Sequence, residues 1–205
     1  VLHVGTAESE YLDYGCPDAD VVASLYMADL TVRGGYSSDS NSNTAQTKCG
    51  GGILVDPEAT LEMERCLVTE NEGKGSGGGI CNRGGNLRLD SCTLSDNVAQ
   101  SVGGGIKNGQ RCAATAVFTN TSLSGNSAGW GSAMHTSCET APNTTLLGCT
   151  VVGHKGGYAL AAEQEGMTVQ DSIISGNFGG NDISWYLHDG LAPAEGVTTS
   201  PPARE

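Results

Sequence analysis

The sequence predicts an all-β protein, a right-handed parallel β-helix of about six turns with irregular end segments. Two short motifs, and an alternating pattern between them, support this prediction. The first motif is a glycine triplet followed by an apolar residue, and it occurs at 50–53, 77–80 and 103–106. The second is an apolar residue, two variable residues and an asparagine, and its copies end at Asn71, Asn97, Asn126 and Asn177.

The two motifs keep in step along the chain. The first motif closes at intervals of 27 and 26 residues at Ile53, Ile80 and Ile106, and the series continues at Met134, Leu160 and Ile183. The second motif begins at Val68, Leu94, Leu123, Val151 and Ile174. Because two independent markers share one period through several insertions, the pattern indicates a solenoid in which each turn buries the next.

Between the motifs, apolar and polar residues alternate with the period of a β-strand. Residues 87–89 read Leu-Arg-Leu, and residues 92–94 read Cys-Thr-Leu after a corner at 90–91. This period of two is strand patterning rather than helix patterning. We therefore expect two or three short strands per turn, stacked in parallel about 4.8 Å apart. The right-handed sense follows from the usual hand of parallel crossovers.

The repeats also divide the chain into segments. We expect an N-terminal end segment at 1–20, the β-helix at 21–183, a C-terminal cap at 184–197 and a Pro/Thr/Ser-rich tail at 198–205. The Ser/Asn-rich stretch 37–47 is expected to be a surface loop. Solenoid ends carry unpaired strands, so an incompletely capped end could receive another turn or another copy of the chain.

The repeated asparagines and glycines are best explained by the fold. Asn at a tight bend tolerates left-handed backbone and bonds neighbouring main chain, and stacked copies can bond one another as a ladder. We therefore interpret Asn71, Asn97, Asn126 and Asn177 as a structural ladder in which His154 replaces one member. The glycine triplets permit positive φ at a corner. No Gly-x-Gly-x-x-Gly sequence opens a helix, which argues against nucleotide binding.

Composition narrows the classes of function. The 205 residues carry a formal net charge of -13, which argues against nucleic acid and anionic membrane surfaces as partners. With 31 glycines, 2 Phe and 2 Trp, the core is expected to be slender and aliphatic. We find no membrane span in the sequence and predict no cofactor and no metal.

Eight cysteines without a redox motif favour an oxidising compartment. Cys112 and Cys138 both follow the first motif in consecutive turns, which makes them the best candidate bridge. Cys16 and Cys49 flank the first turn and its long loop and are the next candidate.

The remaining cysteines leave alternatives open. Cys66 and Cys92 occupy one inward column a turn apart, so they could form a bridge or remain a stack of buried thiols. Cys149 is two turns beyond Cys92, too far to bridge to it, and is either a buried small apolar residue or a partner of Cys81. No spacing resembles a zinc site.

Two N-glycosylation sequons occur, at Asn120 and Asn143. Asn120 falls at the corner position shared with Arg65, Ser91 and Gly148. Corners face solvent, so a glycan would fit there, and the pair of sequons supports a secretory origin.

A search for catalytic groups gives one weak candidate. Calcium-dependent polysaccharide lyases need carboxylates and a basic side chain on one outward face. Outward acidic pairs are expected where Glu64 stacks on Asp90 and Glu70 stacks on Asp96, with Arg88 beside Glu62. Exposed charges on a sheet are usually only solvating. His135 has no evident partner, and no Ser-His-Asp arrangement can be assembled.

An outward column of threonines would be needed for ice binding. The candidate column is half threonine and is interrupted by Leu67 and Ile173: Thr31, Leu67, Thr93, Ser122, Thr150, Ile173. Such a mixture is ordinary for strands, so ice binding is kept only as a minor alternative.

The two motifs resemble the repeats of polymorphic outer-membrane proteins, which carry Gly-Gly-Ala-Ile and Phe-x-x-Asn sequences on a right-handed β-helix. The resemblance covers residues 50–177. Leu or Val stands here in place of Phe, and the later turns read Gly-Ser-Ala-Met at 131–134 and Gly-Tyr-Ala-Leu at 157–160. Similar repeats occur in large secreted and cell-surface proteins of microbes, where they imply adhesion and extracellular scaffolding.

These observations lead to one functional hypothesis and one alternative. The hypothesis is a non-catalytic extracellular module, structural or adhesive, that is a subunit of a surface filament or a segment of a larger glycoprotein. Its expected partners are other copies of itself, other matrix or surface proteins, and glycans. The alternative is an extracellular polysaccharide lyase or a carbohydrate-binding protein.

Overall fold

The structure is a computed structural model, and it describes residues 1–5, 23–37, 49–109, 114–137, 143–163, 167–179, 182–186 and 198–199. Within these ranges the regular elements are β-strands. The strands pair in parallel across turns and form four sheets, which we name A to D. In each complete turn the chain passes through the four sheets in order, so it is a parallel β-helix.

Sheets A and B hold the strands that follow the first motif. Sheet A consists, in spatial order, of Leu2–Val4, Ile53–Val55, Ile80–Asn82, Ile106–Asn108, Met134–Thr136, Leu160–Glu163 and Ile183–Tyr186. Sheet B consists of Ser24–Ala28, Thr60–Glu64, Asn86–Asp90, Thr115–Thr119, Asn143–Leu147 and Met167–Gln170.

Sheets C and D lie on either side of the repeated asparagine. Sheet C consists of Thr31–Arg33, Leu67–Thr69, Thr93–Ser95, Ser122–Ser124, Thr150–Val152, Ile173–Ser175 and Thr198–Thr199. Sheet D consists of the two-residue strands Tyr36–Ser37, Glu72–Gly73, Val98–Ala99, Ser127–Ala128 and Lys155–Gly156.

The register of sheet A confirms the predicted fold. Ile53 pairs with Ile80, and Ile80 pairs with Ile106. The same column continues through Met134, Leu160 and Ile183. Like residues therefore lie above one another along the rod, as the period of the sequence requires.

The core runs along the axis as columns of aliphatic side chains. Leu61, Leu87, Ala116 and Thr144 are aligned in sheet B and are at most 2% exposed. Phe118 is the largest of the fully buried side chains. Each turn contributes only a few apolar residues, so stability depends on contact with the turns above and below.

The structure differs from the sequence prediction in the number of strands and in their extent. Each complete turn has four strands rather than two or three, because sheet D uses pairs of residues too short to show alternation. The parallel sheets also include Leu2–Val4 and Thr198–Thr199, which lie outside the predicted 21–183.

The corners between sheets are built from residues in the left-handed region. At the corner between sheets B and C, Arg65, Ser91, Asn120 and Gly148 have φ values of 50°, 53°, 49° and 62°. Glu70 and Asp96 have φ values of 53° and 54° at the corner between sheets C and D. The triplets begin likewise, with φ of 78° at Gly50, 64° at Gly77 and 67° at Gly103.

The middle glycine of a triplet is required for a different reason. Gly78 lies where two segments of backbone approach closely, and a Cβ atom there would overlap the carbonyl oxygens of Val98 and Gly104. Gly104 is crowded in the same way by the carbonyl oxygens of Ser127 and Ser132. A triplet thus combines positive φ at its first residue with close backbone approach at its second.

Candidate functional site

The outward carboxylates that define the lyase candidate lie at the ends of sheet B strands and at the next corner. Glu64 and Asp90 are aligned in register. Glu70 and Asp96 are equivalent corner residues one turn apart, both with positive φ. The sequence therefore gave the correct alignment of both acidic pairs.

Arg65 forms an ion-pair network with Glu64, a member of the first acidic pair, and with Asp29. Its Nε and Nη2 atoms donate to Asp29 Oδ1 and Oδ2, both at 2.8 Å, and its Nη1 donates to Glu64. The Tyr26 hydroxyl donates to the other Glu64 oxygen at 2.6 Å. The bonds from Arg65 lower the pKa of Asp29, and the bonds to Asp29 raise the pKa of Arg65. Both oxygens of Glu64 therefore have partners on the surface.

The neighbouring charges follow a similar pattern. Arg33 Nη2 donates to Glu70 Oε2 at 2.7 Å. Glu62 and Arg88 are aligned in register and exposed, but the structure shows no salt bridge between them within the part of the chain it describes. Within the described ranges, no three His, Cys, Asp or Glu side chains come together as a possible metal site.

His135 lies in a covered polar cluster on the outer side of sheet A, which the sequence did not predict. It is aligned with Lys107 and is 2% exposed. Its Nε2 is 3.2 Å from Glu163 Oε1, and the Trp130 ring packs edge-on with a centroid distance of 6.3 Å. Burial, and then the charge of Lys107, lower the pKa of His135 to about 3. The imidazole is therefore neutral near pH 7. Of these contacts, the repeat in the sequence could have revealed only the alignment of His135 with Lys107.

A second polar cluster lies at the corner between sheets A and B. Asp56 Oδ1 accepts from Arg83 Nη2, and Asp56 Oδ2 contacts His3 Nε2. Asp56 and Arg83 are buried, whereas the His3 side chain is 46% exposed. Gly5 leaves room for this carboxylate, because a Cβ atom at Gly5 would overlap it. The cluster joins the first strand to the next two turns.

The repeated asparagines form a buried ladder inside the rod. Asn71 Nδ2 donates to Asn97 Oδ1 at 2.9 Å, and Asn97 Nδ2 donates to Asn126 Oδ1 at 3.0 Å. The backbone N–H groups of Asn71 and Asn97 donate to the same two oxygens. His154 continues the series by accepting from the Asn126 N–H at Nδ1, at 3.2 Å.

The ladder also bonds the main chain of the preceding turn and ends on a carboxylate. Asn97 Nδ2 donates to the Val68 carbonyl at 2.9 Å, and Asn126 Nδ2 donates to the Leu94 carbonyl at 3.0 Å. At the far end, Asn177 Nδ2 donates to Asp182 Oδ1 at 2.8 Å. The polar groups of the interior are thus largely satisfied by one another.

Two further columns of side chains form hydrogen-bond networks that the sequence did not predict. Asn82 Nδ2 donates to Asn108 Oδ1 at 2.8 Å, and Asn108 Nδ2 donates to Thr144 Oγ1 at 2.8 Å. Asn82 and Asn108 each stand two residues after the isoleucine of the first motif, so aligning the motif would have revealed them.

The second missed network is the column of inward cysteines at the corner between sheets B and C. The Cys66 N–H donates to Cys92 Sγ at 3.4 Å, and the Cys92 N–H donates to Thr121 Oγ1 at 3.4 Å. Cys149 continues this column by donating its N–H to Ser172 Oγ at 3.0 Å. Thiol and hydroxyl groups therefore act as equivalent acceptors in successive turns.

The cysteines are paired differently from the prediction. Cys49 is bonded to Cys81, with a Cα–Cα distance of 5.6 Å. The predicted pairing of Cys49 with Cys16 is therefore wrong, and so is the alternative that joined Cys81 to Cys149. Cys49 forms a parallel bridge with Ser76, and Cys81 lies a few residues further on in the strand Ile80–Asn82.

The other cysteines divide into two groups. Cys66, Cys92 and Cys149 are buried free thiols, the second of the two alternatives for the Cys66–Cys92 column. Burial raises the pKa of the Cys92 and Cys149 thiols, which keeps them protonated. Cys16, Cys112 and Cys138 lie outside the described residues, so the Cys112–Cys138 bridge stays a prediction.

Removing the observed disulfide is expected to destabilise the first turns. The bridge closes a loop with a sequence separation of 32 residues, which corresponds to about 3–4 kcal/mol of loop-closure free energy. The double variant Cys49→Ser, Cys81→Ser should lose this amount in urea unfolding followed by circular dichroism. Cys149→Ser is the matched control, since Ser172 already occupies that column. Equal stability of the double variant and the wild type would contradict the expectation.

Both sequon asparagines are accessible. Asn120 is exposed at a corner, and Asn143 is exposed at the start of the strand Asn143–Leu147. Neither side chain would have to leave the core to carry a glycan. No helix within the described ranges is long and apolar enough to cross a membrane.

Comparison with known proteins identifies the class. The profile of the family described as a right-handed β-helix region matches residues 29–177. This is most of the chain, and the four parallel sheets agree with it, so the chain belongs to the right-handed β-helix family. The comparisons with curated proteins and with solved structures gave no match.

Proposed function

We propose that this chain is a non-catalytic extracellular module with a structural or adhesive role, as a subunit of a surface filament or as a segment of a larger glycoprotein. The main support is that its polar side chains bond to one another. The repeated asparagines bond one another along the interior, and Glu64 and Glu70 bond arginines on the surface. These groups stabilise the rod rather than converge on a ligand.

The extracellular setting is supported by three features. The Cys49–Cys81 disulfide is of the kind that persists in oxidising compartments. Both sequons place an exposed asparagine on the surface. The repeats resemble those of polymorphic outer-membrane proteins and related surface proteins.

The proposed partners are other copies of the chain, other matrix or surface proteins, and glycans. Each sheet ends in an unpaired strand edge within the described residues, such as Ser24–Ala28 at one end of sheet B and Met167–Gln170 at the other. Edges of this kind can pair with a further strand. Stacking end to end would continue the sheets from one copy to the next.

Electron microscopy of the full glycosylated chain tests the structural role. We expect rods that associate end to end as the concentration rises, together with a loss of mass on treatment with an N-glycosidase. Particles that stay single at every concentration, and that bind no matrix protein or glycan, would contradict the proposal.

The enzymatic alternative is tested separately. Asp90 and Arg88 share the strand Asn86–Asp90 on the outer face of sheet B. The full chain is incubated with pectin or alginate and calcium, and unsaturated products are followed by absorbance. Cleavage that is lost in both Asp90→Asn and Arg88→Ala, but kept in the exposed control Glu62→Gln, would replace the structural proposal with a lyase.

A further inference from the structure

His154 stands in the interior ladder between Asn126 and Asn177, as a histidine in a position that asparagine holds in the neighbouring turns. It is 0% exposed. Its Nδ1 accepts from the Asn126 N–H at 3.2 Å, and its Nε2 donates to the Leu123 carbonyl at 3.0 Å. These are the two roles that Oδ1 and Nδ2 play in Asn97. The surroundings therefore fix a neutral imidazole with its proton on Nε2.

The ladder is weaker at His154 than elsewhere. Asn71, Asn97 and Asn126 are joined both by side-chain amides and by backbone N–H groups. At His154 the two bonds to the neighbouring members of the ladder each come from a backbone N–H: from Asn126 to Nδ1, and from His154 to Asn177 Oδ1 at 3.0 Å. An imidazole has a single proton to donate when neutral, and the Leu123 carbonyl takes it.

We propose that His154 makes the rod acid-sensitive: protonation of its ring breaks the ladder and lets its own turn and the turns that follow it open while the preceding turns stay folded. A second ring proton would sit on Nδ1 and face the Asn126 N–H, so a donor would oppose a donor in a site without water access. In a solenoid each turn contacts only its neighbours, so opening can be confined to one end.

The charges around His154 do not offset this effect. The described groups bonded to it are the Asn126 and Asn177 amides and the Leu123 carbonyl, all neutral. The Asp182 carboxylate lies beyond Asn177 and accepts from it, and the Lys155 side chain is exposed at the surface. Burial lowers the pKa of His154 to about 4, against the smaller opposing effect of its bonds to Leu123 and Asn126.

The direction of the pH effect follows from these values. The ordinary pKa of histidine is about 6.5, so the open state takes up a proton that the folded state refuses between about pH 6.5 and pH 4. Closure is fully favoured above this window and weakens as the pH falls through it. Between about pH 7 and pH 5, opening of the C-terminal turns should increase about twentyfold.

Amide hydrogen exchange measured by mass spectrometry, and corrected for intrinsic rates, tests the proposal on the full chain. We expect the rise at about pH 5 in the strands Thr150–Val152, Met167–Gln170 and Ile173–Ser175, and not in Thr60–Glu64 or Asn86–Asp90. A rise of equal size in both groups of strands would overturn the proposal, whatever the variants do.

Two variants test whether His154 is responsible for the acid response. His154→Asn restores the residue found in the other turns and should remove the acid response of the C-terminal strands. Asp182→Asn keeps the Oδ1 acceptor for Asn177, removes the carboxylate and should retain the response. A response that persists in His154→Asn would assign the effect to a group other than His154 and overturn the proposal.

Discussion

Replacing Asn97 with alanine is expected to lower the free energy of unfolding by about 4 kcal/mol. Asn97 is 0% exposed and lies in the middle of the ladder. Its Oδ1 accepts from the N–H and the Nδ2 of Asn71, and its Nδ2 donates to Val68 and Asn126. Truncation leaves the buried Asn71 N–H without its acceptor, which costs about 1–3 kcal/mol, and removes one bond each from Asn71 Nδ2, the Val68 carbonyl and Asn126 Oδ1. Urea unfolding followed by circular dichroism measures the loss.

Asn86→Ala is the matched control for this prediction. Asn86 has the same side chain but is exposed at the start of the strand Asn86–Asp90. We expect its removal to change stability by less than about 0.5 kcal/mol. If Asn97→Ala lowered the free energy of unfolding no more than Asn86→Ala does, the ladder would contribute little to stability.

Replacing Gly78 with alanine is expected to cost at least about 3 kcal/mol, and to reduce the yield of folded protein. The added methyl group would overlap the carbonyl oxygens of Val98 and Gly104. Both obstacles are backbone atoms of paired turns, so relief requires the turns to separate. Thermal unfolding and the recovered soluble fraction check this expectation.

Gly153→Asp is the control, at a glycine that has a positive φ but open space around its Cα atom. Gly153 has a φ of 67°, and a Cβ atom there would meet no atom within 4 Å. Asp96 holds the equivalent corner with a φ of 54°. We expect the control to remain within about 1 kcal/mol of the wild type. A tolerated Gly78→Ala would mean that the turns are less closely packed than the structure shows.

Much of the fold could be predicted from the spacing of a few residues. The column of Ile53, Ile80 and Ile106 followed from the period alone, because a parallel stack places residues one period apart above one another. The alignment of Glu64 with Asp90 followed in the same way. The two-residue strands of sheet D did not, since two residues carry no alternation to detect.

The candidate site was harder to predict than the fold. The sequence placed the acidic pairs correctly, but it could not show that Arg65 reaches both Asp29 and Glu64. It also treated His135 as a residue without a partner, whereas Glu163 and Trp130 contact it. These contacts depend on side-chain reach between turns, which the spacing of motifs does not specify.

The sequence by itself determined the rod, its register and the residues of the interior ladder, because each depends only on the distance between repeats along the chain. The tertiary structure decided the Cys49–Cys81 bridge, the pairing of the surface charges and the burial of His135. Those features depend on which side chains of neighbouring turns come within reach of one another in space, and the spacing of the repeats does not specify that reach.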